Sequence, residues 1–87
     1  MDVSYFAIFD YDNSDINITF PDLLGCLSCA WTDEEAQRMA KETMELYIED
    51  IPIRKLPIPS TSELIDLKSN QKLFLITTTI NDKSLFN

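Results

Sequence analysis

Cys26-Leu27-Ser28-Cys29 is the arrangement in this chain that most readily suggests chemistry. A structural zinc is held by about four Cys or His ligands in tetrahedral geometry. The chain has two cysteines and no histidine, so it lacks that set. A redox CxxC sits at a helix N-terminus, where the helix dipole lowers the thiol pKa. Here the first helix signal comes later, at Thr32, and the pair falls in an apolar stretch that reads as a strand. Residues three apart on a strand face opposite sides, which disfavours a disulfide between them. The two are read as free, buried structural thiols with no bound metal or cofactor.

A second group is acidic. Asp10, Asp12, Asp15 and Asp22 could furnish a two-metal nuclease site if several of them converged on one pocket. Asp12 and Asp15 flank Asn13-Ser14, however, and Asp is expected in such a turn for backbone reasons alone. No acid lies on the apolar side of the later helix pattern. The expectation is that the chain has no catalytic residues and is not an enzyme.

Charge narrows the partners. Seven basic residues against fifteen acidic ones leave a formal charge of −8, with no histidine. Such a surface repels phosphate backbones, so direct nucleic-acid binding is not expected. It attracts a basic protein, and acidity also serves simple solubility. Lys55, Lys68, Lys72 and Lys83 are scattered, as on a solvated face. Trp31, the single tryptophan, is read as closing the end of the core, with an anchor for a partner as the alternative. No apolar run is long enough to span a membrane, and no basic segment leads into an apolar one as in a secretory signal. A cytoplasmic location is expected.

The elements that must position these residues follow from periodicity. Ser4–Tyr11 reads as a strand with Tyr5, Ala7, Phe9 and Tyr11 on one face and Phe6 and Ile8 on the other. The polar run 12–15 turns the chain, and Ile16, Ile18 and Phe20 alternate with Asn17 and Thr19 as the return strand of a hairpin. Pro21-Asp22 ends it, since proline cannot donate to a ladder. After Gly25, residues 26–31 read as a short third strand. Thr32-Asp33-Glu34-Glu35 is a capping box. Ala36, Met39, Ala40, Met44, Tyr47, Ile48 and Ile51 keep helical spacing until Pro52 stops the helix. An extended connection with Pro57 and Pro59 leads, past a short turn near Glu63–Leu67, to a last strand at Leu73–Ile80. The expected class is α/β (α+β): a two-layer β-β-β-α-β domain, sheet order 3-2-1-4, helix on one face. A right-handed crossover would lay the last strand parallel to the first. The opposite sheet face keeps apolar side chains, which points to a homodimer.

In the order Tyr5 to Asp10, then Phe20-Pro21-Asp22-Leu23, Gly25-Cys26, Thr32-x-Glu34-Glu35-Ala36 and Ala40-x-Glu42, the chain resembles the N-terminal, toxin-neutralising domain of HicB-type antitoxins. The string from Phe20 to Cys26 followed by Thr32 to Ala36 is the specific part; the remainder is common to many α/β domains. Leu24 stands where the family commonly has proline, and Ala30-Trp31 replaces a usual Gly-acid pair. The resemblance implies a partial ribonuclease-H-like fold and a small basic HicA-type ribonuclease toxin as partner, neutralised by occlusion of its active site. It also implies a domain over residues 1–80 with a short tail, 81–87, in place of the DNA-binding module many members carry. An orphan homodimer with another protein or small-molecule partner, and a metal-dependent nuclease, are the competing readings. Asp10, Asp12, Asp15, Glu34 and Trp31 are the expected partner-binding residues.

Overall fold

Residues 1–80 are described by a computed structural model. Asp2–Asp12 forms strand β1, longer than the apolar alternation alone indicated, because a neighbouring strand pairs with nearly all of it. Asn13 turns the chain with φ at +51°, a left-handed conformation that Asn tolerates. Asp15–Thr19 returns as β2, antiparallel to β1 with Asp12 opposite Asp15. Two consecutive turns follow, marked by the Leu23 amide donating to the Phe20 carbonyl and the Cys26 amide to that of Leu23. Gly25 sits in the second turn at φ +84°, where a side chain would be strained. β3, Leu27–Ala30, is shorter than expected: Cys26 and Trp31 flank it.

The helix α1 covers Asp33–Glu49. Thr32 caps it by accepting from the Glu35 amide at 3.1 Å. The Glu35 carboxylate reaches one residue further back than a simple capping box requires and accepts from the Trp31 amide at 3.1 Å. Ala36, Ala40, Met44 and Ile48 are its buried face. Spaced four apart, they form one stripe, and the two alanines let the helix axis lie close to the sheet. They meet Tyr5, Ala7 and Phe9 of β1, Ile16 and Ile18 of β2, Ala30 of β3 and Ile76 of the last strand, with Phe20, Leu23 and Cys26 filling one end.

The last strand, β4, is Gln71–Thr79, and the sheet order is β3-β2-β1-β4 with the helix on one face, as expected. Its direction is not as expected. β4 runs antiparallel to β1, with Tyr5 opposite Ile76 and Asp10 opposite Gln71. The reason lies in the connection. α1 runs about 25 Å away from the hairpin end, at ~1.5 Å per residue. The chain then crosses that far end through a short 3-10 turn at Ile53–Lys55, where Tyr5 Oη donates to the Pro57 carbonyl at 2.6 Å. From Ser60 it climbs back, through a second 3-10 turn at Ser62–Leu64, to Asn70, whose carbonyl accepts from the Tyr11 amide at 3.0 Å. Ten extended residues reach roughly 30 Å, enough to traverse the sheet before β4 begins. A direct crossover would have entered β4 at the other end. No described helix is long and apolar enough to cross a membrane. Lys83 and the tail expected at 81–87 lie outside the described residues.

Candidate functional site

The hairpin and the start of the helix come together at one end of the domain. β1 and β2 close there with Asp12 opposite Asp15, both exposed. β3 delivers Ala30 opposite Ile16, and the chain passes through Trp31 and Thr32 straight into α1. Tyr11 joins the two halves, its hydroxyl donating to Asp33 Oδ1 at 2.6 Å. Burial first, then the bond to Asp33 and its charge, push the Tyr11 hydroxyl up to about 12. Asp12, Asp15, Asp33 and Glu34 therefore crowd one end, and the topology has brought all five expected partner-binding residues there, Asp10, Asp12, Asp15, Glu34 and Trp31.

Like charges facing each other across a hairpin destabilise it. Among the described residues these acids are not relieved by ion pairing. The one ion pair among the described residues, Arg38 with Glu42 at 3.9 Å, lies along the helix. Two lysines belong to this end: Lys72 Nζ sits 5.2 Å from the centre of the Tyr11 ring, and Lys68, whose backbone is bonded to Gln71, forms no ion pair among the described residues. The positive end of the helix dipole offsets some of the charge on Asp33 and Glu34. What remains is a negative surface presented to solvent.

Asp10 is the exception among the five. It is half-buried, and its carboxylate accepts from Asn70 Nδ2 at 2.8 Å and Gln71 Nε2 at 2.9 Å. It contributes charge to this end while fastening the start of β4 to β1. Asp22 lies at the other end of the sheet, where both Ser60 groups bind it, the amide at 2.7 Å and the hydroxyl at 2.6 Å. Asp10, Asp12, Asp15 and Asp22 are thus not gathered into one pocket, and no group of three His, Cys, Asp or Glu among the described residues is placed to hold a metal.

Trp31 does not close the core. It is 77% exposed. Ala30, the last residue of β3, takes the inward position, so the next residue is thrown outward as the chain turns into the cap. Its exposure leaves a large apolar side chain beside the acids, the composition of an interface anchor. The cysteines are both free. Cys26 is buried, and burial alone pushes its thiol up to about 11. Cys29 is exposed, against expectation, because it points to the sheet face that α1 does not cover.

At the opposite end a groove of about 510 Å³ runs between the start of β1 and the Ile53–Pro59 segment. Its polar side chains are already engaged, Ser4 with Thr77 at 2.7 Å and Asp2 with Thr79 at 2.6 Å. A small-molecule site needs a few convergent polar groups to fix its ligand, and these are committed elsewhere.

One helix on a four-stranded antiparallel sheet, with an acidic, solvent-facing end, defines a small α+β domain. Residues 5–81 match the family described as HicB_like antitoxin of bacterial toxin-antitoxin system, and the chain belongs to that family. No curated protein matches the chain.

Proposed function

We propose that this chain neutralises a small, basic HicA-type ribonuclease toxin by covering its active site, with the hairpin end as the docking surface. The observation that carries the reading is that Asp12, Asp15 and Glu34 are exposed at the same end of the domain as the exposed Trp31, free of ion-pair partners among the described residues. A toxin that grips RNA must present cationic surface, and a negative end with an apolar anchor complements it in charge and in contact. The chain performs no chemistry of its own and leaves nucleic acid alone, as its charge of −8 favours. It acts as a homodimer in the cytoplasm, where the toxin's RNA substrates are.

Stopped-flow binding to the toxin of the adjacent reading frame, run beside an RNA-cleavage assay, tests this. The triple variant Asp12→Lys, Asp15→Lys and Glu34→Lys should lower the on-rate by about tenfold or more at low salt, with an unchanged melting curve. Trp31→Ala should instead raise the off-rate, by an amount equivalent to about 2 kcal/mol for a central anchor. Asp10 stays intact in this series, because replacing it would also unfasten β4 from β1. If the wild-type chain at saturating excess leaves RNA cleavage untouched, the antitoxin reading fails.

A further inference from the structure

We infer that the outer edge of β4 is a self-pairing surface, on which a second copy of this chain lays its own β4 antiparallel across a two-fold axis at Leu75. The inference rests on the homodimer reading above and gives it a location. β4 is the last strand of the sheet. Met1 and Ile80 exchange both backbone bonds, Ile80 N–H to Met1 O at 2.8 Å and Met1 N to Ile80 O at 3.1 Å. In an antiparallel ladder such pairs recur at every second residue. The even-numbered residues of β4 therefore turn their amides and carbonyls toward β1, and Leu73, Leu75, Thr77 and Thr79 turn theirs outward. Among the described residues no backbone bond reaches those outward groups.

An edge of this length is normally guarded by charge, proline or a bulge. The sequence Gln-Lys-Leu-Phe-Leu-Ile-Thr-Thr-Thr has no proline and one charge, Lys72. In a chain of net charge −8, β4 carries no acid, so two copies can approach along it with little repulsion. A two-fold at Leu75 sets Leu75 against its own copy and Leu73 against Thr77 of the partner subunit, so the outward-turned residues meet one another. On the helix side Lys72 then faces Thr78 of the partner subunit. Within the chain Thr78 Oγ1 donates to Glu45 Oε2 at 2.8 Å, so the strand's one cation would meet a carboxylate. On the uncovered side Leu75, 55% exposed, would join Phe6 and Leu73 into an apolar strip continuous across the axis. Antiparallel pairing also sends the two acidic hairpin ends in opposite directions, so each stays open to a toxin.

Sedimentation equilibrium, hydrogen exchange and cross-linking test the assignment on the full chain. Wild type at micromolar concentration should sediment at twice the 10.0 kDa chain mass. The amides of Leu73, Leu75 and Thr77 should exchange at least about tenfold more slowly in the dimer than at dilutions that dissociate it. Thr77→Pro removes one outward amide, leaves the apolar side chains in place and should give a folded monomer. In a Cys29→Ser background, Leu75→Cys should cross-link with a short bis-maleimide, whereas Leu46→Cys, on the exposed face of α1, should not. A monomeric wild type would overturn both the dimer and its edge. A dimer whose Leu73 and Leu75 amides exchange freely would overturn the edge alone. Protection that appears only when toxin is added would assign the edge to the toxin's strand and overturn the proposal. Should Thr77→Pro fail to fold, exchange in the wild-type chain decides.

Discussion

Cys26 and Cys29 differ in environment despite their closeness in sequence, and that difference is measurable residue by residue. Burial holds the Cys26 thiol protonated up to about pH 11, and the same burial shields it from reagents. At pH 8 under native conditions one thiol, that of Cys29, should react quickly with a disulfide reagent, and the second only on unfolding. Fast release of both would place Cys26 outside the core. Tyr11 gives a second test, in alkali. Its folded pKa is raised from 10.0 to about 12, so the native state holds the proton more tightly than the unfolded chain. Its contribution to stability is complete below pH 10 and is lost as pH rises toward 12. Cys26, raised from 9.0 to about 11, loses its own share between pH 9 and 11. Tyr11→Phe should cost about 0.5–1 kcal/mol at pH 7 for an exposed bond to a carboxylate. It should also flatten the decline between pH 10 and 12, as read from urea melts across that range. An unchanged slope there would mean that the bond to Asp33 does not persist in solution.

The connection between α1 and β4 is the element on which the antiparallel sheet depends, and it carries little apolar burial of its own. No residue from Ile51 to Asn70 is fully buried. Its anchors are polar: Tyr5 to the Pro57 carbonyl, and Ser60 to Asp22 through two bonds. Half-exposed hydrogen bonds such as these each contribute about 1–1.5 kcal/mol, because solvent screens the charge on Asp22. Ser60→Ala keeps the amide bond and should cost roughly 1 kcal/mol, whereas Asp22→Ala loses both and should cost about 2–3 kcal/mol. In the double variant the second loss should be smaller than its single-variant value, because the hydroxyl no longer has a partner to lose. Chemical denaturation of the four chains settles it, and strict additivity would show the tether to be incidental. The pairing also accounts for Asp22 in physical terms: it is a staple for the connection, remote from the acids of the hairpin end.

For the whole molecule, the distribution of charge matters more than its total. Acids crowd the hairpin end and the first turn of α1, while β4 is close to neutral. Under the proposals above, the acidic end takes a basic partner and the β4 edge a like copy, and antiparallel pairing would keep the two apart. Steering by the exposed acids is screened over a Debye length of about 8 Å at physiological salt. Under the docking proposed above, in which an apolar contact centres on Trp31, added salt should slow association of the toxin more than it speeds dissociation. In the same stopped-flow series, salt that acted mainly on the off-rate would relocate the contact to buried ion pairs.

Local chemistry determined much of this protein without help. The strand faces of Tyr5 to Tyr11, the hairpin at Asp12–Asp15, the cap at Thr32 and the helix stop near Pro52 all follow from periodicity and backbone preference, which act over a few residues. So does the placing of β1, β2 and β3 side by side, because short connections leave adjacent strands few alternatives. The order and spacing of Phe20 to Cys26 and Thr32 to Ala36 already indicated the family. Other features depended on contacts between residues far apart in the chain. The direction of β4 turned on where an extended, proline-containing segment was tied down, by Tyr5 and Asp22 rather than by neighbours. The exposure of Trp31 and Cys29 turned on which side of β3 the helix came to cover. Asp10 and Asp22, alike in sequence as surface acids, were separated from Asp12 and Asp15 only when Asn70, Gln71 and Ser60 arrived from 38 to 61 residues away. Periodicity carries no information about such partners, because they meet only once the sheet has assembled.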